Sequence, residues 1–149
     1  MMSEGTDRIK KVFVPLDGSF QQVSVLERAI GMAAANGAEL YIGHVIEPGS
    51  HSQKDFRGGD YVKSLEKGFR DSVQEEIDLA GANDRIPALH VIVESGRTRE
   101  TIKIKMLDVI RPDLVVCGAR GLSGIQYAIL GSVSTYLIRN SECDVLVVR

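Results

Sequence analysis

The sequence predicts an α/β fold: a single-domain, open parallel five-stranded sheet with helices on both faces. Short β-rich runs alternate along the chain with helical patterns, which is how crossover helices come to cover a parallel sheet. The runs are continuously rich in Val, Ile and Leu rather than alternating, as strands buried on both faces should be. With 149 residues and no internal repeat or linker, the chain makes one domain, long enough to bury a core.

Residues 1–8 are polar and charged and read as a flexible arm ahead of a domain over 9–149, not as a signal peptide or anchor. The first strand is expected over 12–14. A helix follows over about 21–36, where Leu26, Ala29, Ile30 and Ala33 recur at helical spacing and Gly37 offers a stop. The second strand spans 40–45. The irregular stretch 47–60, with Pro48, Gly49, Ser50, Gly58 and Gly59, leaves the carboxyl edge of the sheet, as a ligand lid or as a mobile loop. Val62, Leu65, Phe69, Val73 and Ile77 form the apolar stripe of one helix, read as core packing. A third strand over 89–93 leads to a helix near 99–110, which ends just before Pro112. The fourth strand spans 114–118, a helix follows Gly131, and Val145-Leu146-Val147-Val148 forms the last strand.

Charge is nearly balanced, 18 basic against 20 acidic residues for a net −2, with no basic block; this argues against nucleic acid as a partner. No apolar stretch approaches the roughly 20 residues that span a bilayer, so a cytoplasmic location is expected. Cys117 and Cys143 make no disulfide framework and read as small apolar residues near the ends of core strands. No Cys/His spacing suggests zinc.

The segment between the fourth strand and the last helix is the most informative in the chain. Glycines at 118, 121, 124 and 131 lie between a buried strand and a helix N-terminus, and Ser132 closes the run. Glycine lets backbone approach an anion and adopt positive φ. The unpaired N–H groups of a first helical turn then point at it, and the helix dipole favours negative charge. Two residues separate Gly118 from Gly121, and nine separate Gly121 from Gly131. This spacing resembles the ATP-binding signature of the universal stress protein family: Gly, two residues, Gly, nine residues, Gly, then Ser or Thr. The stretch Val12-Phe13-Val14-Pro15-Leu16-Asp17-Gly18-Ser19, the pair His44-Val45 and the closing Cys143-Asp144-Val145-Leu146-Val147-Val148-Arg149 also resemble family landmarks.

The resemblance implies strand order 3-2-1-4-5, which periodicity alone would not select. In that order strands one and four are neighbours, and ligand belongs outside their carboxyl ends, where the winding reverses. Asp17 and Gly118 then meet at one crevice. The resemblance further implies that Asp17 and the backbone at Val45 recognise the adenine end, with Pro15 in its apolar wall. Gly118, Gly121, Gly131, Ser132, Val133 and Ser134 are matched to the phosphates and ribose. The plainer readings are an Asx turn at Asp17, an N-cap at Ser132 and exposed surface roles for Arg120 and Ser123. Two residues depart from the family pattern: Thr98, where Gly96-x-Thr98 stands for Gly-x-Pro, and Asp144, in place of a Pro before the last strand. Gly96 is expected near the nucleotide.

No P-loop lysine accompanies Gly131-Ser132, and residue 15 is proline where an aspartyl phosphatase would need a second aspartate. No nucleophile–base pair stands out. His44 and His90 lie in expected strands and read as structural; His51 lies in the long loop. No catalytic residue is assigned, and no protein metal ligands are assigned. Three functions remain: an adenine-nucleotide (ATP, ADP or AMP) binding stress-response sensor or switch, a slow ATPase or phosphotransfer enzyme, and a nucleotide-independent interaction module. The complete glycine signature argues against the third. Mg²⁺ or Mn²⁺ bridging the phosphates is allowed. The apolar edge strand 145–148 and the resemblance both point to a homodimer through that strand; a protein partner is unknown.

Overall fold

A computed structural model describes residues 8–47, 58–119 and 130–149. The element order is β1 (Lys11–Leu16), α1 (Gln22–Asn36), β2 (Glu39–Ile46), α2 (Gly58–Ser72), α3 (Gln74–Gly81) and β3 (Leu89–Ser95). Then come α4 (Thr98–Thr101), a π-helical segment (Ile102–Leu107), α5 (Asp108–Ile110), β4 (Leu114–Gly118), α6 (Ser132–Asn140) and β5 (Asp144–Val148). The five strands are parallel and ordered β3-β2-β1-β4-β5, as the sequence reading expected. Residues 1–7 of the expected arm, residues 48–57 of the long loop (with His51), and Arg120, Gly121, Ser123 and Gly124 lie outside the described residues.

Alternation along β1 divides the core. Val12, Val14 and Leu16 pack on the side of α1, α2 and α3 with Val25, Leu26, Ala29, Leu40, Ile42 and Phe69. Phe13 points the other way, into a second cluster with Ile102, Met106, Leu107, Ile110, Val115, Cys117 and Leu137. Burial on both faces explains why the strands read as unbroken apolar runs. Helix α1 stops where expected: Gly37 takes φ 62°, and the N–H groups of Gly37 and Ala38 return to Ala34 O and Ala33 O. That double closure needs a residue at ease in the left-handed region.

Three local details differ from the sequence reading. The expected single helix carrying Val62 to Ile77 is broken at Val73, where φ is −127° and ψ 16°. The Ser72 hydroxyl donates to Phe69 O at 2.6 Å, and the Val73 N–H turns to Arg70 O instead. A side chain thus takes the carbonyl that an unbroken helix would offer to residue 73. The helix before Pro112 contains the π segment, and its wider turn lets Ile102, Met106 and Leu107 all face the sheet. Gly58 and Gly59 belong to α2, not to the loop.

Pairing of β1 with β4 ends at Phe13↔Val115, whereas pairing of β1 with β2 continues to Leu16↔His44. Strands β1 and β4 therefore part towards their carboxyl ends, and a crevice opens between them.

Candidate functional site

A cavity of about 780 Å³ fills that crevice. Its wall includes Pro15 and Asp17 from the end of β1, Val45 from β2, Gly118 from β4, and Gly131, Ser132, Val133 and Ser134 at the start of α6. All eight described residues that the sequence singled out are brought together. Gly121, the ninth, lies outside the described residues.

Asp17 closes a small turn: its Oδ1 accepts the Ser19 N–H at 2.9 Å, and Gly18 between them takes φ 79°. The Asx turn is therefore present, and it holds the carboxylate at the cavity wall. Next to it, His44 Nδ1 lies 2.8 Å from Leu16 O, and its ring stacks on Phe69 at 4.1 Å between centroids. A carbonyl only accepts, so Nδ1 carries the proton and Nε2 of the neutral ring is an acceptor. Burial lowers the His44 pKa below the ordinary imidazole value, outweighing the Leu16 hydrogen bond and the Asp17 charge. His44 thus keeps a structural bond and lines the cavity as well. His90, stacked on Tyr41, is not part of the wall.

The α6 end is built around one carbonyl. Gly131 O accepts the Thr135 N–H and the hydroxyls of Ser134 and Thr135 at 2.9–3.0 Å, while Gly131 N–H donates to Ala119 O at 2.7 Å. The N-cap is Gly131, not Ser132, which is the first helical residue. The Ser134 hydroxyl is tied back to the cap. Gly131 sits at φ −70°, ψ 167°, extended backbone that any residue adopts. Glycine here leaves room for close approach and is not demanded by backbone conformation.

Sequence reasoning missed most of the wall. Leu65 and Phe69, read as core packing, line the cavity together with Ser64, Gly68 and Ser72 of α2; Phe69 is part of the core as well, as that reading expected. Gln22 also lines it; its Nε2 donates to Ser72 Oγ at 2.9 Å, and its buried Oε1 has no partner among the described residues. A glutamine three residues after the Asp17-Gly18-Ser19 turn was the available signal. Gly96, expected near the nucleotide, is not in the wall; Thr98 is. Thr98 N–H and Oγ1 both donate to Glu47 Oε1, at 2.8 and 2.6 Å. Those bonds, first the hydroxyl and then the amide, hold the Glu47 carboxyl below its ordinary range. Cys117, at the cavity floor, is a free thiol pushed by burial to about 11, so it stays protonated.

No group of three or more His, Cys, Asp or Glu among the described residues could hold a metal ion. No helix among them is long and apolar enough to cross a membrane.

Comparison with known proteins agrees with this geometry. A Staphylococcus saprophyticus protein described as a universal stress protein is 29% identical over 140 residues, 94% of this chain and 83% of the relative. The universal stress protein UspA of Lactobacillus plantarum shares the fold, with a TM-score of 0.82 and 21% identity over 95% of this chain and 99% of its own. A universal stress protein crystallised in complex with cAMP superposes with a TM-score of 0.65 and 27% identity, over 95% and 98% of the two chains. The model of the universal stress protein family matches residues 8–149, and the chain belongs to that family.

Proposed function

We propose that this chain is a cytoplasmic, homodimeric stress-response protein that binds adenine nucleotide, with ATP as ligand, and acts as a nucleotide-dependent sensor or switch. One observation carries the reading: residues from four separate segments, chosen for nucleotide chemistry, line one cavity at the carboxyl ends of β1, β2 and β4. That is where ligands bind in open α/β sheets. The cAMP complex of a family member supports an adenine nucleotide as the ligand class.

In this reading Asp17 and the Val45 backbone take the polar edge of the base, with Pro15 against its face. The neutral His44 adds an acceptor beside them. Gly118, Gly121 and Gly131 give phosphate a close approach to backbone, and the first-turn N–H groups of Ser132, Val133 and Ser134 supply donors that have no partner within the helix. Mg²⁺ or Mn²⁺ would take its oxygens mainly from the phosphates themselves. Strand β5 lies at the sheet edge, where pairing with a second copy would satisfy its open N–H and C=O groups.

Mass spectrometry of small molecules released by denaturing protein purified without added ligand tests the reading. Adenine nucleotide at substantial occupancy is expected. Nucleotide-free protein that also shows no calorimetric response to ATP, ADP, AMP or cAMP would overturn it. Sustained hydrolysis at roughly 1 s⁻¹ or faster, abolished by a substitution at Asp17, would replace the switch with an ATPase.

A further inference from the structure

Beside the main cavity lies a second one of about 530 Å³, lined by Glu47, Arg97, Thr98, Arg99, Glu100, Ser132 and Val133. Four of these, Glu47, Thr98, Ser132 and Val133, also line the first cavity. The two spaces thus share a wall at the phosphate end of the site. Arg97 and Arg99 belong to the second cavity alone.

Both arginines are exposed, and neither has a carboxylate within ion-pair distance among the described residues. Arg99 Cζ lies 6.0 Å from the centroid of the Tyr136 ring, so its side chain reaches from the start of α4 towards α6. Both positive charges act on the Glu47 carboxyl at the shared wall, after the two Thr98 hydrogen bonds. Glu47 and Glu100 bring carboxylates to the same space, and Glu47 is drawn to Thr98. Two guanidiniums with no carboxylate within ion-pair distance among the described residues, at the edge of a cavity that continues the proposed anion site, suit bidentate contact with phosphate oxygens.

We infer that the second cavity is a polyphosphate annex, in which Arg97 and Arg99 bind the phosphates beyond the first on an adenine nucleoside di- or triphosphate. The inference rests on the nucleotide reading of the main cavity and deepens it. It makes the chain discriminate among adenine nucleotides by tail length: a monophosphate fills only the main cavity, and a triphosphate spans both. Residues 97 and 99 flank Thr98, one of the two departures noted in the sequence.

Calorimetric titration of the full chain with AMP, ADP and ATP, for the wild type and an Arg97→Gln/Arg99→Gln variant, tests the annex. The wild type should bind ATP more tightly than AMP. The variant should lose that preference by about tenfold or more, the scale of lost charge-assisted contacts, with AMP affinity and melting temperature unchanged. An unchanged ATP-to-AMP ratio, or equal weakening of both nucleotides, would overturn the annex while leaving the main site standing. A wild type that binds AMP and ATP equally would do the same. A wild type that binds no adenine nucleotide would overturn the main-site reading and the annex with it.

Discussion

Thr98 gives both of its donors to a single oxygen: backbone N–H at 2.8 Å and hydroxyl at 2.6 Å from Glu47 Oε1. The pair ties the end of β2 to the start of α4 at the wall shared by the two cavities. A proline at 98, as in the pattern this chain departs from, would have neither donor. The departure is therefore a structural bridge and not a neutral replacement.

That bridge has a pH signature. The Glu47 pKa is lowered in the folded chain, first by the Thr98 hydroxyl and then by the Thr98 amide. Its stabilisation is present above the ordinary carboxylate pKa and is lost as pH falls through the folded value. Glu47 is exposed, so solvent screening limits the effect to about 0.5 kcal/mol. Urea unfolding should show wild type above Glu47→Gln at neutral pH, with the gap closing in acid. A gap that widens on acidification would contradict the bridge.

His44 should titrate below the ordinary histidine value, since burial disfavours its charged form. The unfolded chain then takes up the proton first, so stability falls as pH drops below about 6.5 and levels off beneath the folded pKa. Nitrogen-detected NMR should find the proton on Nδ1, opposite Leu16 O. A midpoint above 6.5, or an Nε2–H tautomer, would remove the proposed acceptor from the cavity.

Gly43→Ala should destabilise the fold. A Cβ there would stand 2.7 Å from Phe13 Cε1 and 2.9 Å from Met106 Sδ, and both neighbours are fully buried. Overpacking of this kind costs about 1–3 kcal/mol, readable as a lower urea midpoint. A midpoint equal to wild type would mean that Met106 can move aside freely.

Gly131→Val should separate folding from binding. At φ −70°, ψ 167° valine fits the backbone, so the circular dichroism spectrum should be unchanged. In the proposed site its branched side chain would stand where phosphate approaches, and ATP affinity should fall by about tenfold or more, roughly 1.4 kcal/mol. Unchanged affinity in the folded variant would move the phosphates away from this residue.

The proposed dimer should dissociate when a charge enters the edge strand. Val147 and Leu146 are half-buried on opposite faces of β5, Val147 towards Phe13 and Met106, Leu146 towards Val14 and Val116. Light scattering of Val147→Lys, or of Leu146→Lys, should give the monomer mass where wild type gives the dimer. A monomeric wild type, or a dimer indifferent to both substitutions, would count against β5 as the interface.

The sequence by itself determined what depends on neighbours along the chain. Strand β4 came out at its observed bounds, because a buried run flanked by Pro112 and a glycine loop leaves little latitude. Gly37 was legible as a helix stop because its left-handed conformation suits glycine best. The candidate site was legible where a motif spans few residues, at Pro15 to Ser19 and Gly118 to Ser132. Only the tertiary structure decided what depends on residues distant in sequence. The break at Val73 accompanies a Ser72 hydroxyl that also accepts from Gln22, 50 positions away. Leu65 and Phe69 carry the same apolar signal whether they meet core or cavity, and their place beside the end of β2 makes them line the cavity, Phe69 as a core residue too. Glu47 and Thr98 lie 51 positions apart and meet only because β2 and β3 pair in parallel and end together. Periodicity records which face of an element is apolar; it carries no record of where two strands part, and that parting makes the cavity.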